Sequence, residues 1–339
     1  MLLTGRTGMT IGLVLAPLLF IACPRNEPPP QPRVGISRQP SITPTPAPLA
    51  VAFNGERALQ HVRKQIEFGP RPPGSPELAK TREYIINEFT SADVRVLTDE
   101  FLAATPEGEK KMVNITAEIP GDSKDVIIIA SHYDSKYFKD MRFVGANDPG
   151  SSVGTLLELG RVLAGTKPKL TYWLVFFDGE ESFCENWDDC GKPDAPDNTY
   201  GSRRFVDELR SNNEMARVRA LILLDMMGYK ELELGRDTIS TKWLQDIVWQ
   251  TARELGYRKY FVDRPEGVGG DDHEPFLKAG IPAVDLIQLN GYPYWHRADD
   301  TLDKISAKSM KIVGDVVSAS LPRVEQRLLS GNKKNNSNE

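Results

Sequence analysis

The chain has 339 residues, 40% hydrophobic and 26% charged, which is enough apolar material for one large core and leaves no sign of disorder beyond the ends. Its net charge is -5, with Lys and Arg interspersed among Asp and Glu, so nucleic acid is excluded as a partner for want of a basic stripe. Only four histidines occur, and two of them, His273 and His296, lie close to acidic pairs.

Residues 1–23, MLLTGRTGMTIGLVLAPLLFIAC, have an early Arg, an apolar run from Ile11 to Ala22 and a small residue before Cys23, the layout of a secretory signal. The run is short for a membrane span. The ending FIAC resembles a bacterial lipoprotein signal, with Phe20 where Leu is usual, and implies a protein exported to the periplasm or cell envelope and anchored at a lipidated Cys23. An ordinary cleaved signal is the alternative. Residues 24–49 are Pro-rich and read as an extended linker between membrane and enzyme. The catalytic domain is expected over 50–330, followed by a polar tail, 331–339. A chain of this organisation is taken as a monomer that meets the membrane only through its N-terminal lipid.

Within the domain, 58–68 and 75–90 have helical spacing, with Ser75 as a candidate N-cap. The runs KKMVNITAEI, DVIIIASHYD, TYWLVFFDGEE and RALILLDMMG read as strands buried on both faces. Helices are expected at 151–164, 199–211, 241–255 and 306–329. The pattern predicts a three-layer α/β sandwich whose central sheet, mixed but mostly parallel and twisted, is flanked by helices. Cys184 and Cys190 are close enough in sequence for a small-loop disulfide in an exported protein, with two free thiols as the alternative.

Acidic residues recur where these strands end. Asp134 follows IIIASHY, Glu180 and Glu181 follow WLVFFDG, and Asp225 follows ALILL, at the edge where open α/β sheets bind ligands. His132 and Asp134 share a side by period-two alternation, and Asp148 precedes a helix start. Singly, such an Asp is most often a turn or cap residue, and His61 on an amphipathic helix reads as structural. Together, the carboxylates cannot gather at one buried edge without a counter-charge, and a divalent cation supplies it. Oxygen and imidazole donors without thiolate suit zinc or a neighbouring first-row ion. Of the adjacent acids in GEE, one can bind metal while the other handles protons.

From about Phe53 to Leu321 the chain resembles the zinc-dependent aminopeptidase superfamily, whose HxD, GAxD, DGEE, strand-end Asp and late His occur in order as His132/Asp134, Asp148, Glu180/Glu181, Asp225 and His296. FGPRPPGSP, HYDSKYF, LELGR, FFDGEE, YGSRRF, DDHEPFLKAGIP and WH resemble, more closely, the animal-type glutaminyl-peptide cyclotransferases, which convert N-terminal glutamine to pyroglutamate. Where the aminopeptidases place Ser or another small polar residue before the DH pair, this chain has Asp271.

The resemblance implies one catalytic Zn2+ per chain, held by Asp148, Glu181 and His296. Glu180 is then the general acid/base, beside a hydrogen-bonded acidic relay of Asp225 and Asp271. Trp295 and Trp187 line the glutamine pocket, although the loop after GEE differs in length, and His132 matches a ligand of the two-zinc peptidases. The implied substrates are peptides or proteins with N-terminal Gln, cyclised with release of ammonia. The resemblance also implies a cis Asp148–Pro149 bond. It departs at the family's disulfide beside HYD, because Ser131 and Val153 stand where its cysteines would be. Two further readings use the same residues: an aminopeptidase with two zinc ions and Glu180 activating water, and a silent binding protein of the same fold.

Overall fold

The computed structural model describes residues 51–335, with side-chain surroundings described through residue 330. The expected signal peptide, Cys23 and the Pro-rich linker lie outside the described residues, as do 336–339. No helix among the described residues is long and apolar enough to cross a membrane.

In chain order the elements are α1 (Gly55–Phe68), α2 (Pro76–Thr90), β1 (Arg95–Thr105), β2 (Gly108–Ile119), β3 (Ser123–His132), α3 (Gly150–Ala164), β4 (Leu170–Phe177), β5 (Gly191–Lys192), β6 (Ala195–Pro196), α4 (Tyr200–Ser211), β7 (Val218–Asp225), β8 (Leu234–Asp237), α5 (Lys242–Glu254), β9 (Phe261–Glu266), α6 (Glu274–Lys278), β10 (Ala283–Ile287) and α7 (Ala307–Asn335). Ser75 caps α2 as expected, its hydroxyl accepting from Leu78 N at 3.1 Å. The last helix runs past the expected end at 329.

The central sheet has six strands in the order β1-β2-β4-β3-β7-β10. β1 and β2 form an antiparallel hairpin and β2 pairs antiparallel with β4, whereas β4, β3, β7 and β10 run parallel. The sheet is therefore mixed and mostly parallel, as the patterning required. The parallel strands alternate between two cores even though both of their faces are buried. Ile127 and Ile129 of β3, Leu174 and Phe176 of β4 and Ile222 and Leu224 of β7 pack with α1, α3, α5 and α7. Ile128 and Ala130, Val175 and Phe177, and Leu221 and Leu223 pack with α4 and α6. Each such fully buried side chain stabilises the fold by about 1.5–3 kcal/mol, which accounts for the long apolar runs.

The four parallel strands all end on one edge, and the chain leaves that edge in loops. Asp178, just past β4, accepts from Val113 N at 2.9 Å and Tyr133 Oη at 3.1 Å, tying the ends of β3 and β4 to the middle of β2. Two strands of the central sheet were not anticipated from the sequence, β1 and β10, which form its two edges.

Candidate active site

Every acid singled out at a strand end lies on the rim where the four parallel strands end. Asp134 uses both carboxylate oxygens to accept from Glu180 N (3.1 Å) and Glu181 N (3.3 Å), which fixes the turn that presents the two glutamates. The turn needs Gly179: its φ is +71°, and an added Cβ would meet Met112 Sδ at 2.5 Å. Asp148 is held from below. Asp300 accepts from Asn147 N at 2.9 Å, Asp148 N at 3.1 Å and Tyr292 Oη at 2.6 Å, while buried Arg71 donates to Val144 O at 2.8 Å and Gly145 O at 3.1 Å. Gly145 has φ +50°, and a Cβ there would collide with Asp148 O at 1.8 Å. The Asp148–Pro149 peptide is cis.

One donor atom each from Asp148, Glu181 and His296 lie within 4.8 Å of one another. His296 Nε2 is 3.1 Å from Glu181 Oε2 and 3.5 Å from Asp148 Oδ2. Glu181 Oε1 is buried without a hydrogen-bond partner. Two carboxylates, one imidazole and an orphaned carboxylate oxygen fit a divalent cation better than any neutral arrangement, since three donors plus an open position is the usual catalytic set. His296 itself is held in the left-handed region at φ +54°, its ring stacked on Trp295 with centroids 4.2 Å apart and flanked edge-on by Phe138 and Phe143. Burial works against ionising Glu181, but His296 beside it outweighs that and lowers its carboxyl below the usual range.

His132 forms a second donor group with Asp148 and Asp225. Its Nε2 lies 3.3 Å from both Asp148 Oδ1 and Asp225 Oδ1, and its Nδ1 is 3.6 Å from Asp134 Oδ1 and 3.7 Å from Glu180 Oε2. Burial alone would lower its pKa, yet the surrounding charges of Glu180, Asp134, Asp148 and Asp225 raise it well above the imidazole value. The ring therefore serves as an internal counter-charge for four acids.

Glu180 faces the pocket. Burial, reinforced by Asp271, Glu181 and Asp272 and opposed by His132, pushes its carboxyl well above the carboxylate range, so it can both carry and release a proton. Asp271 is pushed up to about 7, by burial first and then by the charge of Asp225. The sequence reading expected a direct hydrogen-bonded pair between these two aspartates. Asp225 faces His132 with its charge still bearing on Asp271, whose carboxylate lies in one group with the Asp285 carboxylate and the His273 imidazole. His273 turns away from the cation donors and wedges between Asp237 (3.2 Å) and Asp285 (3.9 Å).

Over these groups opens a cleft of about 450 Å³, lined by Trp187 and Trp295 among others, with Val268, Ile287, Leu289 and Met226 as its apolar wall. Trp295 is 41% exposed. The cleft joins all five cation and acid/base candidates with Asp225, and leaves His132 behind them. His61 lies apart, its Nδ1 2.6 Å from Tyr84 Oη, and is structural. Cys184 and Cys190 are bonded to each other.

Sequence reasoning missed Asp285, Asp300, Arg71 and Lys136. Asp285 had one signal, an acid inside the otherwise apolar run AVDLI, where burial is tolerated only with a partner. Lys136, also buried, donates to Ser182 O (2.8 Å), Ser182 Oγ (2.7 Å) and Cys184 O (3.0 Å), and nothing in its local sequence signals that reach.

The sequence matches Peptidase family M28 over residues 114–321. It is 32% identical to a glutaminyl-peptide cyclotransferase of Bos taurus over 272 residues, 69% of this chain and 73% of that protein. The crystal structure of an Acidobacteriales bacterium glutaminyl cyclase superposes with a TM-score of 0.76 at 37% identity, covering 83% of this chain and 99% of the other. A leucine aminopeptidase precursor of Bacteroides thetaiotaomicron gives 0.73 at 27% identity, covering 80% and 98%. The chain belongs to Peptidase family M28 and, within it, to the glutaminyl-peptide cyclotransferases.

Proposed function

We propose that this protein cyclises the N-terminal glutamine of peptides or proteins to pyroglutamate, releasing ammonia, with one zinc ion held by Asp148, Glu181 and His296. The observation that carries the residue assignment is the convergence of those three donors with Glu180 on the floor of one cleft walled by two tryptophans. The ion, when bound, polarises the γ-amide carbonyl and offsets the negative charge that develops on its oxygen.

The chain's own residues supply the rest. Trp187 and Trp295 hold the glutamine side chain so that its α-amine meets its own side-chain amide carbon, Cδ, and an intramolecular attack of this kind draws much of its acceleration from positioning. Glu180 accepts the proton that the amine loses as the new C–N bond forms. The same carboxyl then protonates the departing nitrogen, which leaves as ammonia, so Glu180 ends the cycle in its starting state. Asp271, which lies beside Asp285 and His273, stands near Glu180 and holds the amine in line.

The second donor group of His132, Asp148 and Asp225 favours a rival reading, a two-metal aminopeptidase in which Glu180 activates water. Incubation with Gln- and Leu-naphthylamides, alongside a metal assay, separates the two. The cyclase reading expects ammonia from the glutamine substrate, an intact amide bond and one zinc per chain. Naphthylamine from the leucine substrate with two metals per chain would refute it.

A further inference from the structure

The substrate wall made by Trp187 is built on a segment with little packing of its own. Residues 185, 186, 188 and 189 are exposed, and the segment joins β4 to the short β5–β6 hairpin. Its N-terminal base is clamped. Asp197 Oδ2 accepts from Phe183 N (3.0 Å) and Cys184 N (2.9 Å), Tyr200 Oη donates to Asp197 Oδ1 at 2.6 Å, and Lys136 holds Cys184 O. Beyond the base, the tie from Asn198 Nδ2 to Trp187 O at 3.2 Å and the Asn186–Asp189 hydrogen bonds are neutral or exposed. The covalent bond between Cys184 and Cys190 encloses this tip, with Trp187 midway along it. Across the cleft, Gly270 faces the indole: a Cβ there would sit at ordinary contact distance, 3.5 Å, from Trp187 Nε1.

We infer that the Cys184–Cys190 bridge is the positioning element that holds Trp187 against the 267–270 loop as a preformed pocket wall, making substrate capture sensitive to thiol reduction while the proton chemistry at Glu180 is untouched. The inference rests on the cyclase reading. Opening the bridge with a water-soluble trialkylphosphine is balanced: the phosphine is oxidised to its oxide, water supplies the oxygen and the two protons, and the disulfide becomes two thiols. With the tip released, the substrate has to order Trp187 itself, a cost that belongs to binding and not to the chemical step.

The experiment compares KM and kcat for a Gln-peptide in five forms: the untreated protein, the phosphine-treated protein, Cys184→Ser with Cys190→Ser, Trp187→Ala, and the three substitutions together. Hydrogen exchange of the peptide spanning 184–190 is followed in parallel and needs no turnover. The expected result is a KM raised about 2- to 10-fold in both bridge-opened forms, the range for ordering one side chain and its loop on binding, with kcat within about twofold. Faster exchange at 184–190, restoration of KM on re-oxidation of the phosphine-treated protein, and no further rise when the serine pair is added to Trp187→Ala complete it. Should Trp187→Ala raise KM while opening the bridge leaves it unchanged, the bridge does not position the wall and the inference fails with the pocket reading intact. Unchanged exchange at 184–190 overturns it whether or not the protein turns over. If neither Trp187→Ala nor opening the bridge alters KM, the place of Trp187 in the pocket fails as well, and an untreated protein that releases no ammonia overturns the cyclase reading itself.

Discussion

Two groups of buried acids, each around one histidine, lie side by side at the end of the sheet and solve the same electrostatic problem differently. Asp148 and Glu181 with His296 look into the cleft. Asp285 and Asp237 with His273 lie behind it, joined to it by Asp271 at the cleft's back wall, and several of these oxygens lack a hydrogen-bond partner. In the front group Glu181 is lowered by its imidazole neighbour despite burial. In the rear group burial and like charge raise Asp285 well above the carboxylate range and Asp271 to about 7. Identical residue types thus diverge according to whether a counter-ion can reach them. An open front suits a cation; in the rear, burial favours the protonated form of Asp285 and Asp271, whereas Asp237, buried too, is lowered by His273 and Ser240.

The largest test of that contrast removes the cation. Chelation, or His296→Ala, is expected to take zinc from one per chain to none, to reduce ammonia release to background and to lower the melting temperature, because a ligand that binds only the folded state stabilises it. Zinc added back should restore the chelated protein. Retention of a full zinc equivalent by His296→Ala would place the ion elsewhere, the rear group included.

Glu180→Gln comes next. It should cost about 10²- to 10⁴-fold in kcat while zinc content stays at one, since the substitution removes a proton carrier and no cation donor. A variant that lost both together would show that Glu180 belongs to the cation's own shell.

A smaller loss is expected behind the site. Asp285→Leu removes the carboxyl group beside Asp271 and should lower kcat by about 10- to 100-fold, the usual scale for a residue acting through another. Asp285→Asn, which can still donate to Asp271, should recover part of it. Equal losses for the two would mean that volume, not hydrogen bonding, is what Asp285 supplies.

The smallest effect is in stability against pH. An Asp whose pKa rises from 3.8 to about 7 on folding keeps its proton where the unfolded chain has released it. The folded state is then favoured on the acid side, and stability declines as pH climbs from about 4 through 7. For the metal-free protein, the melting temperature measured from pH 5 to 8 should fall, by about 2–4 °C for each kcal/mol lost, and Asp271→Asn should flatten the curve. A melting temperature that rises across this range would show that ionised carboxylates are stabilised in the rear group.

The front group was far easier to read from the sequence than the rear. His132, Asp148, Glu180, Glu181, Asp225 and His296 each sit at the end of an apolar run or in a short motif, so local pattern locates them. Arg71 acts on Val144, 73 positions away, and Asp300 on Asn147, 153 away, separations that no local pattern encodes. The same logic applies to the fold. The long buried runs of β3, β4 and β7 announce themselves, whereas β1 is largely exposed and mixes Thr, Asp and Glu, and its strand character comes from pairing with β2 along its whole length. β10 is five residues interrupted by Asp285, too short and too mixed to be separated from a loop.

The carboxylate of Asp300 links two regions that are synthesised far apart. It grips the backbone at Asn147 and Asp148 while sitting four residues after His296 on the closing loop. Two of the three cation donors therefore reach working distance only once the first and last parts of the domain have met. Because bringing distant segments together is the slow, entropically costly part of folding, zinc capture at this site should be a late event in the folding of a newly made chain. Affinity for the ion would then report on completeness of the domain: a chain interrupted before Asp300 would hold the strands that carry Glu180 and Glu181 and still have no high-affinity site for zinc.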